Sequence, residues 1–212
     1  MKILFQGDSI TDGNRYKDEA SRWDLNHQIG HSWAYMVTGK LTGEYPRRFE
    51  CVNRAISGNT VRDLRDRWQK DALDLAPDTL AVLVGVNDCS AIAAGRMTEE
   101  EYGAVYRELL ADVRGVSPGA RFLLLEPFHL LEDGDRVRIM ETLRGTVRQI
   151  AEESGAVFVP LQEEFRKRAE ADGAAYWLWD GVHPTEAGHW VIARRALEYG
   201  AELFGIPAEH GI

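Results

Sequence analysis

The sequence predicts an α/β fold, a three-layer α/β/α sandwich built around a parallel sheet. Five short apolar runs alternate along the chain with longer segments in which apolar residues recur every three or four positions. This alternation is typical of βαβ units, which place parallel strands in one sheet and helices on both of its faces. The chain shows no internal repeat, low-complexity tract or linker. We therefore expect one domain that spans residues 1–212.

The five short apolar runs are the predicted strands of this sheet. Residues 79–84 are almost continuously apolar, which is typical of a strand buried on both faces. In open sheets of this class ligands bind beyond the carboxyl ends of the strands. The segments that directly follow the strands are therefore expected at the site. The predicted strands cover residues 3–7, 49–53, 79–84, 121–125 and 157–159, and the segments at the ends of the first four cover residues 7–11, 55–59, 85–88 and 126–129.

Four longer segments carry apolar residues at the spacing of an amphipathic helix. The second opens with a capping-box pattern from Thr98 to Glu101, and the fourth is expected to run from Thr185 to about Phe204. The residues predicted to face inward are Val61, Leu64, Trp68, Ala72 and Leu75; Tyr102, Val105, Tyr106, Leu109, Leu110 and Val113; Val137, Met140, Leu143, Val147 and Ile150; and Trp190, Val191, Leu197 and Phe204.

The charge of the chain disfavours several classes of partner. With 25 basic and 34 acidic residues the net charge is −9, which opposes binding to nucleic acid and to an anionic membrane surface. No stretch approaches the roughly 20 apolar residues of a membrane span, and residues 1–7 lack a secretory apolar region. We therefore expect a cytoplasmic protein with no membrane partner.

The two cysteines predict neither a disulfide framework nor a metal site. They form no CxxC pair, and neither has a histidine at metal-ligand spacing. Cys51 stands in a predicted strand and is expected to be a buried free thiol. Cys89 has no adjacent histidine or cation to lower the pKa of its thiol, so no catalytic role is expected for it. No metal and no cofactor are expected.

Ser9 directly follows the first predicted strand and is a candidate nucleophile. A glycine such as Gly7 lets the chain turn sharply, and a serine on that turn projects its hydroxyl into the crevice. Its own backbone N–H is then free to point at a bound oxygen. A serine that caps the N-terminus of a helix would produce the same local pattern. Residues 7–11 alone leave both interpretations open.

Asp180 and His183 are the candidate partners of this serine. A serine hydroxyl is a poor nucleophile until a base takes its proton, and histidine suits that role at neutral pH. The base must be oriented by an acceptor on its other ring nitrogen, and Asp180 precedes His183 by three residues on a short loop. Pro184 stiffens this loop before the final helix. An aspartate that only caps a turn is the alternative.

Gly58 and Asn87 follow the second and third predicted strands and are candidate oxyanion donors. The backbone N–H of Gly58 is unshielded by a side chain, and the side-chain amide of Asn87 is a suitable donor. Each segment by itself is explained by an ordinary turn. Together with the N–H of Ser9, however, they complete a set of nucleophile, base, orienting acid and three oxyanion donors.

These segments resemble the four blocks of the SGNH hydrolases, also called GDSL esterases/lipases. The blocks are Gly7-Asp8-Ser9-Ile10, the glycine of Ser57-Gly58-Asn59, Gly85-Val86-Asn87-Asp88 and Asp180-Gly181-Val182-His183. They span nearly the whole chain, and the one departure is Ile10, where the family name implies leucine. The resemblance implies a flavodoxin-like sheet of five parallel strands and a Ser-His-Asp mechanism without a cofactor.

Two further stretches are similar to the intracellular acetyl-xylooligosaccharide esterases. They are residues 56–64 with Arg67-Trp68, and Trp179-Asp180 with His183-Pro184 and Ala187-Gly188-His189. The similarity implies a serine esterase that removes acetyl groups from xylo-oligosaccharides or related sugars. Ser9, Asp180 and His183 are then the expected catalytic residues, and Ser9, Gly58 and Asn87 form the expected oxyanion hole.

Asp8 and Trp179 are expected to contact the substrate, a small acylated molecule, because an indole suits the face of a sugar ring. Trp177 and Trp179 are equally explained by packing in the core. Three other functions compete with the acetylesterase: a lysophospholipase or thioesterase, a carbohydrate-binding protein without catalysis, and a nucleotide-phosphate site. The last lacks both glycine-rich phosphate patterns. The sequence is compatible with a homo-oligomer.

Overall fold

The protein forms a five-stranded, all-parallel sheet, as predicted from the sequence. The structure is a computed structural model that describes residues 1–18 and 25–207, with the backbone alone for residues 25 and 26. The strands are β1 (Lys2–Gly7), β2 (Glu50–Asn53), β3 (Thr79–Leu83), β4 (Arg121–Leu125) and β5 (Val157–Val159). Their order in the sheet is β2-β1-β3-β4-β5, which is the flavodoxin-like order. The expected α/β/α fold class is therefore confirmed.

Helices connect the strands and cover both faces of the sheet. The four predicted helices correspond to α4, α6, α7 and α10, and a short 3-10 turn at Leu73–Leu75 follows α4. The described helices are α1 (Ser9–Asp12), α2 (Leu25–Ile29), α3 (Trp33–Glu44), α4 (Val61–Asp71), α5 (Val86–Ala93), α6 (Glu99–Val116), α7 (Gly134–Ser154), α8 (Gln162–Asp172), α9 (Ala174–Trp177) and α10 (Glu186–Phe204).

Two hydrophobic cores lie on the two sides of the sheet. Alternate residues of each strand point to opposite faces, so Leu4 joins one core while Ile3 and Phe5 join the other. The first core packs α4, α5, α6 and α7 against the sheet, and the second packs α1, α2, α3, α8, α9 and α10. The carboxyl ends of the central strands emerge between these two helix layers.

Three predicted burial positions are wrong. Val137 lies in the first turn of α7 with 41% of its surface exposed, and the neighbouring Ile139 is buried in its place. Trp190 faces solvent from α10 with 44% exposure. Cys51 is a free thiol but is only partly buried, because β2 is an edge strand of the sheet. Helical spacing predicts a face, whereas the neighbouring elements decide how wide the buried part of that face is.

Among the described residues, no helix is both long enough and apolar enough to cross a membrane.

Candidate active site

Ser9, His183 and Asp180 form a continuous chain of hydrogen bonds at the carboxyl edge of the sheet. The Oγ of Ser9 lies 3.0 Å from the Nε2 of His183. The Nδ1 of the same imidazole lies 2.7 Å from the Oδ2 of Asp180. A carboxylate on Nδ1 fixes the tautomer whose Nε2 accepts a proton from the serine hydroxyl. The arrangement can therefore activate a hydroxyl nucleophile.

A tight turn after β1 positions Ser9. Gly7 has a φ of +148°, and a Cβ built on it would lie 2.1 Å from the carbonyl oxygen of Leu83, so only glycine fits there. Ser9 is the first residue of α1, and the residue that caps this helix is Asp8, whose carboxylate accepts a hydrogen bond from the N–H of Ile10. The hydroxyl of Ser9 is therefore free of the capping role that the sequence left open.

The loop before α10 fixes the positions of His183 and Asp180 relative to each other. The Oδ1 of Asp180 accepts hydrogen bonds from the N–H groups of Val182 at 3.0 Å and His183 at 2.7 Å. Gly181 adopts a φ of +82°, and its carbonyl accepts a 2.7 Å hydrogen bond from the N–H of Leu130. These bonds fix the loop both to itself and to the segment after β4.

The hydrogen bonds around Asp180 stabilise its ionised form. Partial burial alone would raise the pKa of this carboxyl, but the bonds from the backbone and ring of His183 and from Val182 outweigh it and lower the pKa. Asp180 is thus a carboxylate at neutral pH and stabilises an imidazolium beside it.

A second histidine, His189, lies in the same region. Its Nδ1 accepts a hydrogen bond from the N–H of Trp33, and burial lowers its pKa to about 4.

Gly58 and Asn87, the expected oxyanion donors, lie on adjacent turns that hydrogen bonds hold together. Gly58 has a φ of +85°, and nothing lies within 4 Å of a Cβ built on it, so no other residue crowds its Cα on that side. The Nδ2 of Asn87 donates to the carbonyl of Asn59 at 3.1 Å, which occupies one of its two hydrogens. The other hydrogen of the amide remains for a bound oxygen. Asn87 stands in the first turn of α5, where the sequence predicted a loop.

Two aspartates that sequence reasoning did not select join these turns. Asp12 accepts hydrogen bonds from the N–H of Ser57 at 2.9 Å and from its hydroxyl at 2.7 Å, which ties α1 to the turn of Gly58. Asp88 accepts from the N–H of Val61 at 2.9 Å, which ties α5 to the start of α4. Neither contact has a signal in the sequence, because each partner is a residue more than 25 positions away.

Burial raises the pKa values of Asp8 and Asp88 to about 7. Both side chains have almost no exposed surface. A second oxygen of Asp88, and the hydroxyl of Tyr106, have no hydrogen-bond partner among the described residues. Asp8 was expected to contact the substrate, but its buried carboxyl caps α1 and has no surface on which a substrate could be bound.

The two tryptophans before Asp180 have different environments. Trp177 is 9% exposed, and its indole N–H donates to the carbonyl of Arg168 at 3.1 Å, so this ring packs in the core. Trp179 is 64% exposed and stacks on the imidazole of His183 with ring centroids 5.7 Å apart. Of the pair, only Trp179 presents a ring face at the site.

No cluster of three or more histidine, cysteine, aspartate or glutamate residues suited to holding a metal ion occurs in residues 1–18 and 25–207.

Comparison with known proteins connects this site to a family. Residues 5–191 match the family model of the GDSL-like lipase/acylhydrolases. An acetylxylan esterase from Geobacillus stearothermophilus is 35% identical over 211 residues, which cover 95% of this chain and 94% of that protein.

Solved structures agree with this result. A crystal structure of an acetylxylan esterase from Geobacillus stearothermophilus has a TM-score of 0.83 at 32% identity and covers all of this chain and 97% of its own. A putative GDSL-like lipase from Parabacteroides merdae has a TM-score of 0.86 at 35% identity, with coverage of 93% of this chain and 94% of its own. The chain therefore belongs to the GDSL-like lipase/acylhydrolase family, the SGNH hydrolases, and is a carboxylic ester hydrolase.

Proposed function

We propose that this protein is a serine esterase that removes acetyl groups from xylo-oligosaccharides or related sugars, with Ser9, His183 and Asp180 as its catalytic residues. The observation that carries the catalytic assignment is the hydrogen-bonded chain from the Oγ of Ser9 through His183 to Asp180. The likeness to an acetylxylan esterase over nearly the whole chain supports the substrate class.

The mechanism proceeds through an acyl-enzyme. Ser9 attacks the ester carbonyl while the Nε2 of His183 takes the hydroxyl proton, and a new bond forms between Oγ and the carbonyl carbon. The bond to the alcohol oxygen then breaks, and His183 returns the proton to that oxygen. Water attacks the acyl-enzyme by the same route, which releases acetate and restores the hydroxyl of Ser9. Asp180 stabilises the imidazolium in both halves of the reaction.

The negative charge that develops on the carbonyl oxygen needs fixed donors. The N–H groups of Ser9 and Gly58 and the amide of Asn87 are assigned to this role. The hydrogen bonds from Asn87 to Asn59 and from Val61 to Asp88 hold these donors before the substrate arrives. Donors that are already oriented lose little free energy to reorganisation when the charge appears.

Trp179 is the residue best placed to recognise the sugar. Its indole is exposed and lies beside the catalytic imidazole, and an aromatic face suits the C–H groups of a pyranose ring. Asp8 is buried, so we do not propose that it contacts the substrate.

The catalytic assignment is tested by Ser9→Ala. We expect kcat for p-nitrophenyl acetate to fall by about 10⁴–10⁶ while the melting temperature stays close to that of the wild type. Ser117→Ala, in the turn between α6 and β4 at the amino ends of the strands, is the matched control and should keep full activity. Near wild-type activity of Ser9→Ala would contradict the mechanism.

A fluorophosphonate probe tests the competing carbohydrate-binding function, which needs no activated serine. The esterase should be labelled at Ser9, as shown by mass spectrometry of the modified peptide. An unlabelled protein that still binds xylo-oligosaccharides would favour the binding protein.

The acyl and alcohol parts of the substrate are tested separately. A chain-length series of p-nitrophenyl esters should be best for acetate, and a maximum at medium or long chains would favour the lysophospholipase or thioesterase. Acetate release should be faster from acetylated xylo-oligosaccharides than from other acetylated sugars.

The cytoplasmic location and the homo-oligomeric state stay predictions. Cell fractionation checks the location, and analytical ultracentrifugation checks the oligomeric state.

A further inference from the structure

A cavity of about 160 Å³ is lined by Asn87, Asp180 and His183 together with residues that have no part in the proposed chemistry. Its walls come from the first half of α5, the loop between β4 and α7, the start of α7 and the loop of Asp180 and His183 before α10. We propose that this cavity is the subsite for the alcohol part of the ester and holds one sugar ring. The proposal rests on the proposed esterase function and identifies the part of the chain that selects the alcohol.

The volume of the cavity fits a single six-membered ring. An apolar protein cavity of about 150 Å³ holds one benzene molecule, whereas sites for drug-sized ligands begin near 300 Å³. One pyranose ring therefore matches this cavity in volume.

His183 decides which part of the ester enters the cavity. The leaving oxygen takes its proton from the Nε2 of His183, so this oxygen lies against the imidazole when the bond breaks. The group attached to the oxygen then extends along the ring, and His183, Asp180 and Val182 line the cavity. The acyl group is bonded instead to Ser9, which does not line the cavity. Of the three proposed oxyanion donors only Asn87 belongs to the lining, and Ser9 and Gly58 do not. The geometry favours the alcohol over the acyl group.

The lining has both kinds of surface that a sugar ring needs. Val86 and Leu131 offer apolar contacts for C–H groups. The hydroxyl of Ser90 donates to the carbonyl of Val86 at 3.3 Å, which leaves its oxygen able to accept from a sugar hydroxyl. The Arg136 side chain is 42% exposed and pairs with Asp133 at 3.5 Å, so its remaining N–H groups can donate to the sugar.

His129 forms a fixed wall of the cavity. Its Nδ1 accepts a hydrogen bond from the N–H of Leu131 at 3.1 Å, so its Nε2 carries the proton and donates to the carbonyl of Arg136 at 3.3 Å. Burial, together with the nearby cations Arg144 and Arg136, lowers the pKa of His129. The ring therefore stays neutral, and its two hydrogen bonds are already made within the protein.

A variant that fills the cavity tests the proposal. Ser90→Phe places a ring where the sugar would bind, and Ala93→Phe, on the exposed side of α5, is the matched control. For each protein two ratios of kcat/KM are measured. The alcohol ratio compares acetylated xylose with ethyl acetate, and the acyl ratio compares ethyl butanoate with ethyl acetate.

We expect Ser90→Phe to lower the alcohol ratio by about tenfold or more and to leave the acyl ratio at the wild-type value. Ala93→Phe should change neither ratio. A fall in the acyl ratio alone would assign the cavity to the acyl group and overturn the proposal. If neither ratio changed, the proposal would be overturned as well, because a side chain that fills the subsite must weaken binding of the group that the subsite holds.

A second variant covers the case in which Ser90→Phe does not fold. Arg136→Gln alters a partly exposed side chain, and we expect KM for acetylated xylose to rise several-fold relative to KM for ethyl acetate. An unchanged KM ratio would contradict the hydrogen bond from Arg136 to the sugar. A wild-type protein that hydrolyses neither ester would contradict the proposed function itself, which separates the two failures.

Discussion

Aspartates occupy two contrasting environments at the carboxyl edge of the sheet. Asp180 lies on an exposed loop, and its carboxylate accepts three hydrogen bonds from Val182 and His183. Asp8 and Asp88 are buried beneath the neighbouring turns, where each accepts a hydrogen bond from a backbone N–H. Partial burial opposes ionisation of Asp180, but the hydrogen bonds outweigh it and lower its pKa. Burial prevails at Asp8 and Asp88 and raises their pKa values to about 7.

This contrast shows that the environment, rather than the residue type, assigns the role of each carboxyl group. In the proposed mechanism, a carboxylate that keeps its charge stabilises the imidazolium of His183. Carboxyl groups that lose much of their tendency to ionise serve as acceptors for backbone N–H groups and hold the turns in place. The following variants separate the two roles, in order of decreasing expected effect.

Asp180→Asn should produce the largest loss. Asparagine has nearly the same shape but no charge, and its amide can hold the wrong tautomer of His183, so we expect kcat to fall by about 10⁴. Steady-state kinetics with p-nitrophenyl acetate checks this. Asp172→Asn, at the exposed end of α8, should retain wild-type kinetics. A loss of less than tenfold in Asp180→Asn would remove Asp180 from the catalytic set.

Asn87→Ala should reduce kcat by about 10²–10³, because it removes one donor to the developing oxyanion. KM should change little, since the interaction strengthens only as the negative charge forms. A rise in KM with kcat unchanged would indicate that Asn87 binds the substrate in its ground state instead.

Asp88→Ala should reduce kcat by about tenfold, because loss of the acceptor for the N–H of Val61 loosens the link between the turns of Gly58 and Asn87. Asp88→Asn keeps an oxygen acceptor and should restore most of the activity. If both variants lose activity equally, the charge of Asp88 would matter and its assignment as a positioning residue would be wrong.

The two buried carboxyl groups, Asp8 and Asp88, should stabilise the folded protein less as pH rises. The folded-state pKa values of about 7 lie above the unfolded value of 3.8, so the folded protein binds more protons between these limits. The contribution of these two groups to the free energy of unfolding therefore falls as pH rises from about 4 to above 7. Urea titrations at several pH values measure this slope. Asp88→Asn should flatten it, and an unchanged slope would mean that Asp88 ionises normally.

Trp179→Ala should have the smallest effect. Loss of the exposed indole should raise KM for acetylated xylo-oligosaccharides several-fold and affect ethyl acetate less, because only the sugar has C–H groups to stack. Trp190→Ala removes another exposed indole, from α10, and should leave both KM values unchanged. Equal effects of Trp179→Ala on both esters would contradict a sugar-binding role.

The strands and the four long amphipathic helices are predictable because their patterns are local. All five strands occur within one residue of the expected bounds. The helices α1, α2, α3, α5, α8 and α9 were not predicted, since they are short or lack a clear apolar period. In α3, for example, Gly39 and Gly43 interrupt the helical sequence, and the helix is held by its Ser32 cap and by packing of Trp33 and Val37 in the core.

The sequence by itself determined the order of the five strands and the four long helices along the chain. It also determined the chemical types at four strand ends, because hydrophobic spacing and glycine turns act over a few residues. Only the tertiary structure brought Ser9 within 3.0 Å of a histidine 174 positions away. It also decided that Asp8 is buried, that Trp179 rather than Trp177 faces the site, and that a cavity adjoins His183. Burial and cavity shape depend on elements packed from distant parts of the chain, so no local pattern specifies them.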